Sequence, residues 1–307
     1  MLPQAAREFY AAQQRLIGAT LALTRREWAS MGEDFDSSWQ RVGPRVELLT
    51  ASAQIGAATN GIRSVPATLT ELDQMVDADA QASARAFAGY ASDGRPLDSL
   101  LYGAVIQAKT ADVNSTQARL LAGGQWLDMA VHTMVADAGR QAGQVDGFSR
   151  RGVGFVRAAN PPCCQRCSVL SGKFSKSDVA FKRHPRCDCF NIATTDPASI
   201  TAPVIGPDDV KDLTKAQRRA IDDGADFNQV VNSHRAGARS KNGLTTTEGV
   251  TKRGVAGKRL ISASGTEGKV GRYTKARSAR LTPEGIYRIA SDRDEALRLL
   301  KAHGYLL

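Results

Sequence analysis

The chain has 307 residues, of which 42% are hydrophobic and only 6% aromatic. This length allows one large or two smaller hydrophobic cores, and the shortage of aromatic residues favours closely packed helices over a β-sandwich. No apolar run reaches the roughly 18 residues of a membrane-spanning helix, and the N-terminus lacks the apolar segment of a secretory signal. We therefore expect a protein of the cytoplasm of the producing cell.

The first 150 residues predict a helical domain. One apolar stripe at helical spacing marks the first helix: Tyr10, Ile17, Leu21 and Trp28. Capping residues, prolines and turns predict five helices with short links, over about 4–30, 38–60, from Pro66 onward, 97–113 and 115–145. His132 is alone in the last of these helices, and we interpret it as a packed or surface side chain.

Residues 151–194 carry the pattern with the clearest chemistry. A short strand is predicted at its start, and all five cysteines and one histidine follow as C-C-x2-C, sixteen residues, then H-x2-C-x-C. Two thiolates on one tight turn, with an imidazole and more thiolates from a returning loop, are typical ligands of a structural Zn²⁺ ion. The predicted ligands are Cys164, Cys167 and His184, with Cys187 and Cys189 competing for the fourth position. Cys163 is expected to be a free, buried thiol.

Three other interpretations of the cysteines are weaker. An odd number of cysteines, the lack of a signal peptide and the nearby histidine disfavour disulfides. Inert cysteines would leave their clustering within 27 residues unexplained, and a catalytic cysteine does not need several neighbouring thiols. Basic residues flank the pattern and would favour thiolates by lowering thiol pKa values: Arg166, Lys182, Arg183 and Arg186.

A linker with short helices is predicted over 195–234, and a basic, glycine-rich segment over 235–280. The basic segment has twelve Lys or Arg residues against two Glu, and this excess of ten equals the net charge of +10 of the whole chain. Because it lacks apolar periodicity, we expect an extended arm. Such an arm is either a solvated tail or a strap on packaged DNA or on an acidic protein surface.

DNA binding by this arm would be nonspecific, because Tyr273 is its only aromatic residue and its cations would contact phosphates. The predicted nucleic-acid-binding residues are Arg235, Arg239, Lys241, Lys252, Arg253, Lys258, Arg259, Lys269, Arg272, Lys275, Arg277 and Arg280. The remaining residues, 281–307, predict a helical hairpin that starts at Thr282 and Pro283.

The cysteine region also resembles a known family. The run RRGVGFVRAANPPCCQRCSVLSGKFSKSDVAFKRHPRCDCFNI resembles minor capsid proteins of tailed phages that infect actinobacteria. More distantly it is similar to the F-like minor head proteins of phage Mu, through CSVLSGK at its start and HPRCDC at its end. The resemblance extends to residues 91–109, 123–140 and 280–306. It implies a virion structural protein near the portal or the inner capsid face, with the portal or major capsid protein as partner, and not an enzyme.

The sequence thus predicts a mainly α fold: an N-terminal helical domain (1–150), a small α+β zinc-knuckle module (151–194), a linker, an extended basic Gly-rich arm and a C-terminal helical hairpin. No P-loop, G-x-S-x-G or H-E-x-x-H motif indicates catalysis or a small-molecule substrate. The expected function is a minor head protein of the virion, made in the host cytoplasm. The alternative is a nucleic-acid-binding zinc protein outside the virion.

Overall fold

The structure is a computed structural model that describes residues 2–181, 183–235, 237–264, 271 and 273–306. The chain divides into two compact units, one of Met1–Ala158 with Gly172–Pro203, and one of Ala159–Ser171 with Val204–Leu307. These boundaries differ from the five predicted ranges. The described residues are mainly helical, as expected, and none of their helices is both long and apolar enough to cross a membrane.

The first unit contains five α-helices: α1 (Gln4–Trp28), α2 (Phe35–Glu71), α3 (Leu97–Leu101), α4 (Gly103–Thr110) and α5 (Thr116–Phe148). The prediction that Pro66 opens a separate helix was wrong, because α2 continues through both Pro44 and Pro66. The helix ends where Asp73 adopts a left-handed φ of 56° and the Gln74 amide donates to the Leu69 carbonyl at 2.8 Å. Only a short 3₁₀ turn, Ala84–Phe87, forms in the alanine-rich stretch that follows.

The core of this unit lies among helices α1 to α5. Its fully buried side chains include Val46, Leu97, Leu101, Val131 and Val135. Helices α2 and α5 meet through glycines: an ideal Cβ placed on Gly61 would lie 2.1 Å from the Gly139 carbonyl oxygen. Glycine is therefore required where these two helices cross.

A three-stranded antiparallel sheet completes the first unit. Strand β1 (Gly154–Ala158) lies between β2 (Phe174–Lys176) and β3 (Phe190–Thr194). Val156 of β1 is opposite Phe174 of β2 and Ile192 of β3. β1 is the strand that was predicted ahead of the cysteines, and β3 begins directly after Cys189.

The second unit is built from short elements around a small core. They are α6 (Gln165–Ser168), α7 (Lys215–Asp222), α8 (Phe227–Ser233), β4 (Thr245–Thr246), α9 (Val255–Ala263), β5 (Arg280–Leu281), α10 (Pro283–Ile289) and α11 (Arg293–Ala302). Buried Val230, Ile286, Leu300 and Tyr305 form the main core cluster. Helices α10 and α11 correspond to the predicted C-terminal hairpin.

The basic segment is not an extended arm over its described residues. It contains β4, which pairs with β5, and α9, whose Ala256 and Leu260 are buried. The Ala276 amide donates to the Val250 carbonyl at 2.9 Å, which joins the chain just before α9 to the chain just before β5. The prediction was wrong because it considered only the local charge, whereas α9 contacts α11 and β4 pairs with β5.

Candidate functional site

The C-x2-C pair lies on a single helical turn. Cys164 is the N-cap of α6, and its sulfur accepts a hydrogen bond from the Cys167 amide at 3.3 Å. Asp212 fixes this turn, because its carboxylate accepts from the Gln165 amide at 2.7 Å. The two sulfurs therefore project from one rigid turn, as the spacing predicted.

Cys163 is held apart from this pair. Its amide donates to the Asp209 carbonyl and its carbonyl accepts from the Lys211 amide, in a short parallel pairing with the chain around Val210. Its side chain is buried, and burial, followed by the charge of Cys164, raises the pKa of the Cys163 thiol to about 11. Cys163 is therefore a protonated thiol at neutral pH.

A tight turn presents the second half of the pattern. The Cys187 amide donates to the His184 carbonyl at 3.0 Å, and Arg186 between them has a left-handed φ of 58°. His184 Nδ1 lies 2.8 Å from the Pro185 carbonyl oxygen. A proton on Nδ1 at that position makes Nε2 the atom with a lone pair, as metal ligation by histidine requires.

Side chains alternate along the extended stretch after this turn. Asp188 faces α1, where its carboxylate accepts from Tyr10 Oη at 2.8 Å and from Gln14 Nε2 at 2.7 Å. Its neighbours Cys187 and Cys189 are both buried. The Cys187 and Cys189 sulfurs lie within 4.8 Å of each other, so the two cysteines share one side of this stretch.

Two buried arginines surround Cys187 and Cys189. Arg140 of α5 donates from Nε to the Cys189 carbonyl at 2.9 Å and from a terminal nitrogen to the Cys187 carbonyl. Arg157 of β1 donates to the Cys187 sulfur at 3.4 Å, and the Phe181 ring lies 4.1 Å from its guanidinium carbon. A positive charge beside the sulfur favours the thiolate.

Sequence reasoning missed both of these arginines and selected the flanking cations instead. Arg166 donates to Asn232, Arg183 pairs with Asp137 at 2.5 Å, and Arg186 donates to the Gln125 carbonyl at 3.0 Å. Lys182 lies outside the described residues. The one available signal was Arg157 itself, a charged residue in the otherwise apolar strand GFVRA.

The five predicted ligands form two overlapping groups of three, and each group lies close enough to hold a metal ion. The ligand atoms of Cys164, Cys167 and His184 all lie within 4.8 Å of one another, and so do those of Cys167, Cys187 and Cys189. Cys167 belongs to both groups, and among the described residues Cys163 belongs to neither. The donors of both groups are cysteine sulfurs and one imidazole without a carboxylate, a set that suits Zn²⁺ and not Mg²⁺ or Ca²⁺.

The predicted nucleic-acid-binding residues have different surroundings. Arg280 is fully buried: it donates to the carbonyls of His303 and Glu248 at 3.0 and 2.9 Å, and its guanidinium lies over the Tyr305 ring. Its assignment to phosphate contacts was therefore wrong. Arg259 is half-buried and donates to the Lys301 carbonyl at 2.6 Å.

The other described cations of this segment are exposed: Arg235, Arg239, Lys241, Lys252, Arg253, Lys258, Lys275 and Arg277. Arg235 is also paired with Glu248 at 3.3 Å. Lys269 and Arg272 lie outside the described residues. Eight of the twelve predicted cations are thus exposed in the described part of the chain, and the prediction that they bind DNA remains a prediction.

Comparisons with known proteins leave the family open. No protein-family model, no curated protein and no solved structure matches the chain. The resemblance of the cysteine region to minor head proteins therefore stays a prediction.

Proposed function

We propose that the chain binds one Zn²⁺ ion through Cys164, Cys167 and His184, with Cys187 or Cys189 as the fourth ligand. The observation that carries this proposal is the overlap of the two ligand groups at Cys167. Each group supplies three ligand atoms, and a fourth from the other group, beside the shared Cys167 sulfur, would complete the four that a closed zinc site requires.

The proposed role of the metal is structural. The elements around the ligands are very short, since α6 has four residues and β2 has three, and such elements bury little surface of their own. A bound zinc contributes on the order of 10 kcal/mol of folding free energy to a module of this kind. Arg157 and Arg140 would offset the negative charge of a zinc ion with three thiolate ligands.

We further propose that the chain is a minor head protein of a tailed phage, in the capsid interior or at the portal vertex, where it contacts the portal or the major capsid protein. The resemblance of the cysteine region supports this role. Mass spectrometry of purified phage particles should detect the protein at a few copies per particle. Its presence in infected cells but absence from particles would favour a nucleic-acid-binding zinc protein outside the virion.

The exposed cations of residues 235–280 are proposed to contact packaged DNA through its phosphates. With about six phosphates engaged, affinity for duplex DNA should fall roughly a thousandfold between 50 and 200 mM salt. Two unrelated duplexes should bind equally, because phosphate contacts carry no sequence information. Lys252→Ala combined with Arg253→Ala should weaken binding to both. Salt-insensitive binding, or a preference for one duplex, would contradict this part of the proposal.

A further inference from the structure

A polar cleft of about 500 Å³ lies in the first unit, and no cysteine lines it. It is lined by Leu21 and Arg25 of α1, by Gln125, Asp128 and His132 of α5, and by Arg186. This volume is within the usual range for small-molecule sites. The charged side chains that line it are two arginines and one aspartate.

The carboxylate of Asp128 is already neutralised by Arg25. Arg25 Nε donates to both carboxylate oxygens, at 3.0 and 2.9 Å, and a terminal nitrogen lies 2.7 Å from Oδ2. This is a bidentate pair, the strongest geometry for an arginine and a carboxylate. The second positive charge of the cleft, on Arg186, is therefore not offset by Asp128.

Arg186 is fixed at the cleft by its backbone as well as by its side chain. Its φ of 58° is uncommon for a residue other than glycine. The Arg186 amide donates to Thr133 Oγ1 at 3.1 Å, and a terminal nitrogen donates to the Gln125 carbonyl at 3.0 Å. The guanidinium is therefore positioned before any ligand arrives.

His132 adds a neutral donor. Its Nδ1 is buried and has no hydrogen-bond partner among the described residues, whereas the ring as a whole is partly exposed and lines the cleft. A proton on a buried, unpartnered nitrogen is costly, so the neutral ring carries its proton on Nε2. Burial, followed by the charges of Arg140 and Arg186, lowers the pKa of His132 and keeps the ring neutral at pH 7.

We propose that this cleft binds the phosphate group of a small phosphorylated molecule, between the Arg186 guanidinium and His132 Nε2. A tetrahedral oxyanion can accept hydrogen bonds from both groups at once, and its negative charge offsets Arg186. A free phosphate ion fills only a small part of the cleft. The ligand is therefore a phosphate monoester about as large as a nucleoside monophosphate.

The test is isothermal titration calorimetry of the full chain with three probes: inorganic phosphate, a nucleoside monophosphate and acetate. The monophosphate should bind more tightly than inorganic phosphate, and acetate more weakly than either. Arg186→Gln should weaken monophosphate binding about tenfold or more, because a charge-assisted hydrogen bond to phosphate is lost. Arg63→Gln, which removes an exposed arginine of α2 in the same unit, is the matched control and should leave affinity unchanged.

A second pair of variants tests the histidine without touching the cysteine turn. His132→Leu should weaken binding, and His132→Gln should restore part of it, because the glutamine amide can donate from a position close to that of Nε2. Acetate binding as tightly as phosphate would overturn the assignment to phosphate. No binding of any probe, or binding that survives both Arg186→Gln and His132→Leu, would overturn the site itself.

Discussion

The close crossing of α2 and α5 predicts that alanine destabilises the protein at Gly61, which lies at the crossing, and not at Gly18 of α1. An ideal Cβ on Gly61 would lie 2.1 Å from the Gly139 carbonyl oxygen, about 1.2 Å inside an ordinary C···O contact of about 3.3 Å. The clashing atom belongs to the backbone of α5, so the clash cannot be relieved by turning a side chain. We expect Gly61→Ala to incur an overpacking cost near 3 kcal/mol, partly offset by about 1 kcal/mol of improved helix propensity.

The expected net loss is therefore about 2 kcal/mol in the free energy of unfolding, or roughly 4–8 °C in Tm for a domain of this size. Gly18→Ala is the matched control: Gly18 is an exposed residue of α1, and its Cβ would meet nothing within 4 Å. That variant should gain about 0.5–1 kcal/mol. Urea and thermal unfolding followed by far-UV circular dichroism measure both, and equal stabilisation by the two alanines would refute the close crossing.

Two further predictions concern the second unit. Burial, followed by the charge of Arg280, lowers the pKa of His303 from 6.5 to about 4. The stability contributed by the neutral ring is therefore fully present above about pH 6.5. The free energy of unfolding falls by roughly 3 kcal/mol as the pH is lowered to about 4, because the unfolded state binds the proton first. Urea unfolding across this range should show a flatter pH dependence for His303→Gln than for the wild type. Arg280→Ala should lower the free energy of unfolding by about 3 kcal/mol in a urea titration, because it leaves buried carbonyls unpaired. The control Arg277→Ala, at an exposed residue, should change that free energy by less than about 0.5 kcal/mol. Equal effects of the two variants would contradict the burial of Arg280.

Local chemistry made several helix starts predictable from the sequence. Thr214, Asp226, Thr282 and Asp292 are N-caps, and each side chain accepts a hydrogen bond from an amide three residues later. A cap needs only the residues of its own turn, so its signal is contained in a short stretch of sequence. Pro66 shows the opposite case, because packing of α2 against the rest of the first unit outweighs the hydrogen bond that proline removes.

The metal ligands, like the helix caps, were predictable from a short stretch of sequence, whereas the arginines around them were not. The spacing of the cysteines and His184 was enough to select the residues that the structure brings within metal-binding distance. The arginines that support them could not be selected, because Arg140 and Arg157 reach Cys187 across 47 and 30 residues of sequence. Arg280 was misassigned for the same reason: its acceptors include the His303 and Glu248 carbonyls, which are distant in sequence.

The metal content of the purified protein tests the central claim most directly. Elemental analysis of reductively purified, folded chain should find one zinc per chain, and X-ray absorption at the zinc edge should show three sulfur ligands and one nitrogen ligand. Cys167→Ser, which removes the residue common to both ligand groups, should abolish zinc binding, whereas Cys163→Ala should retain it. Folded wild-type protein without zinc, or zinc retained by Cys167→Ser and lost by Cys163→Ala, would contradict the account.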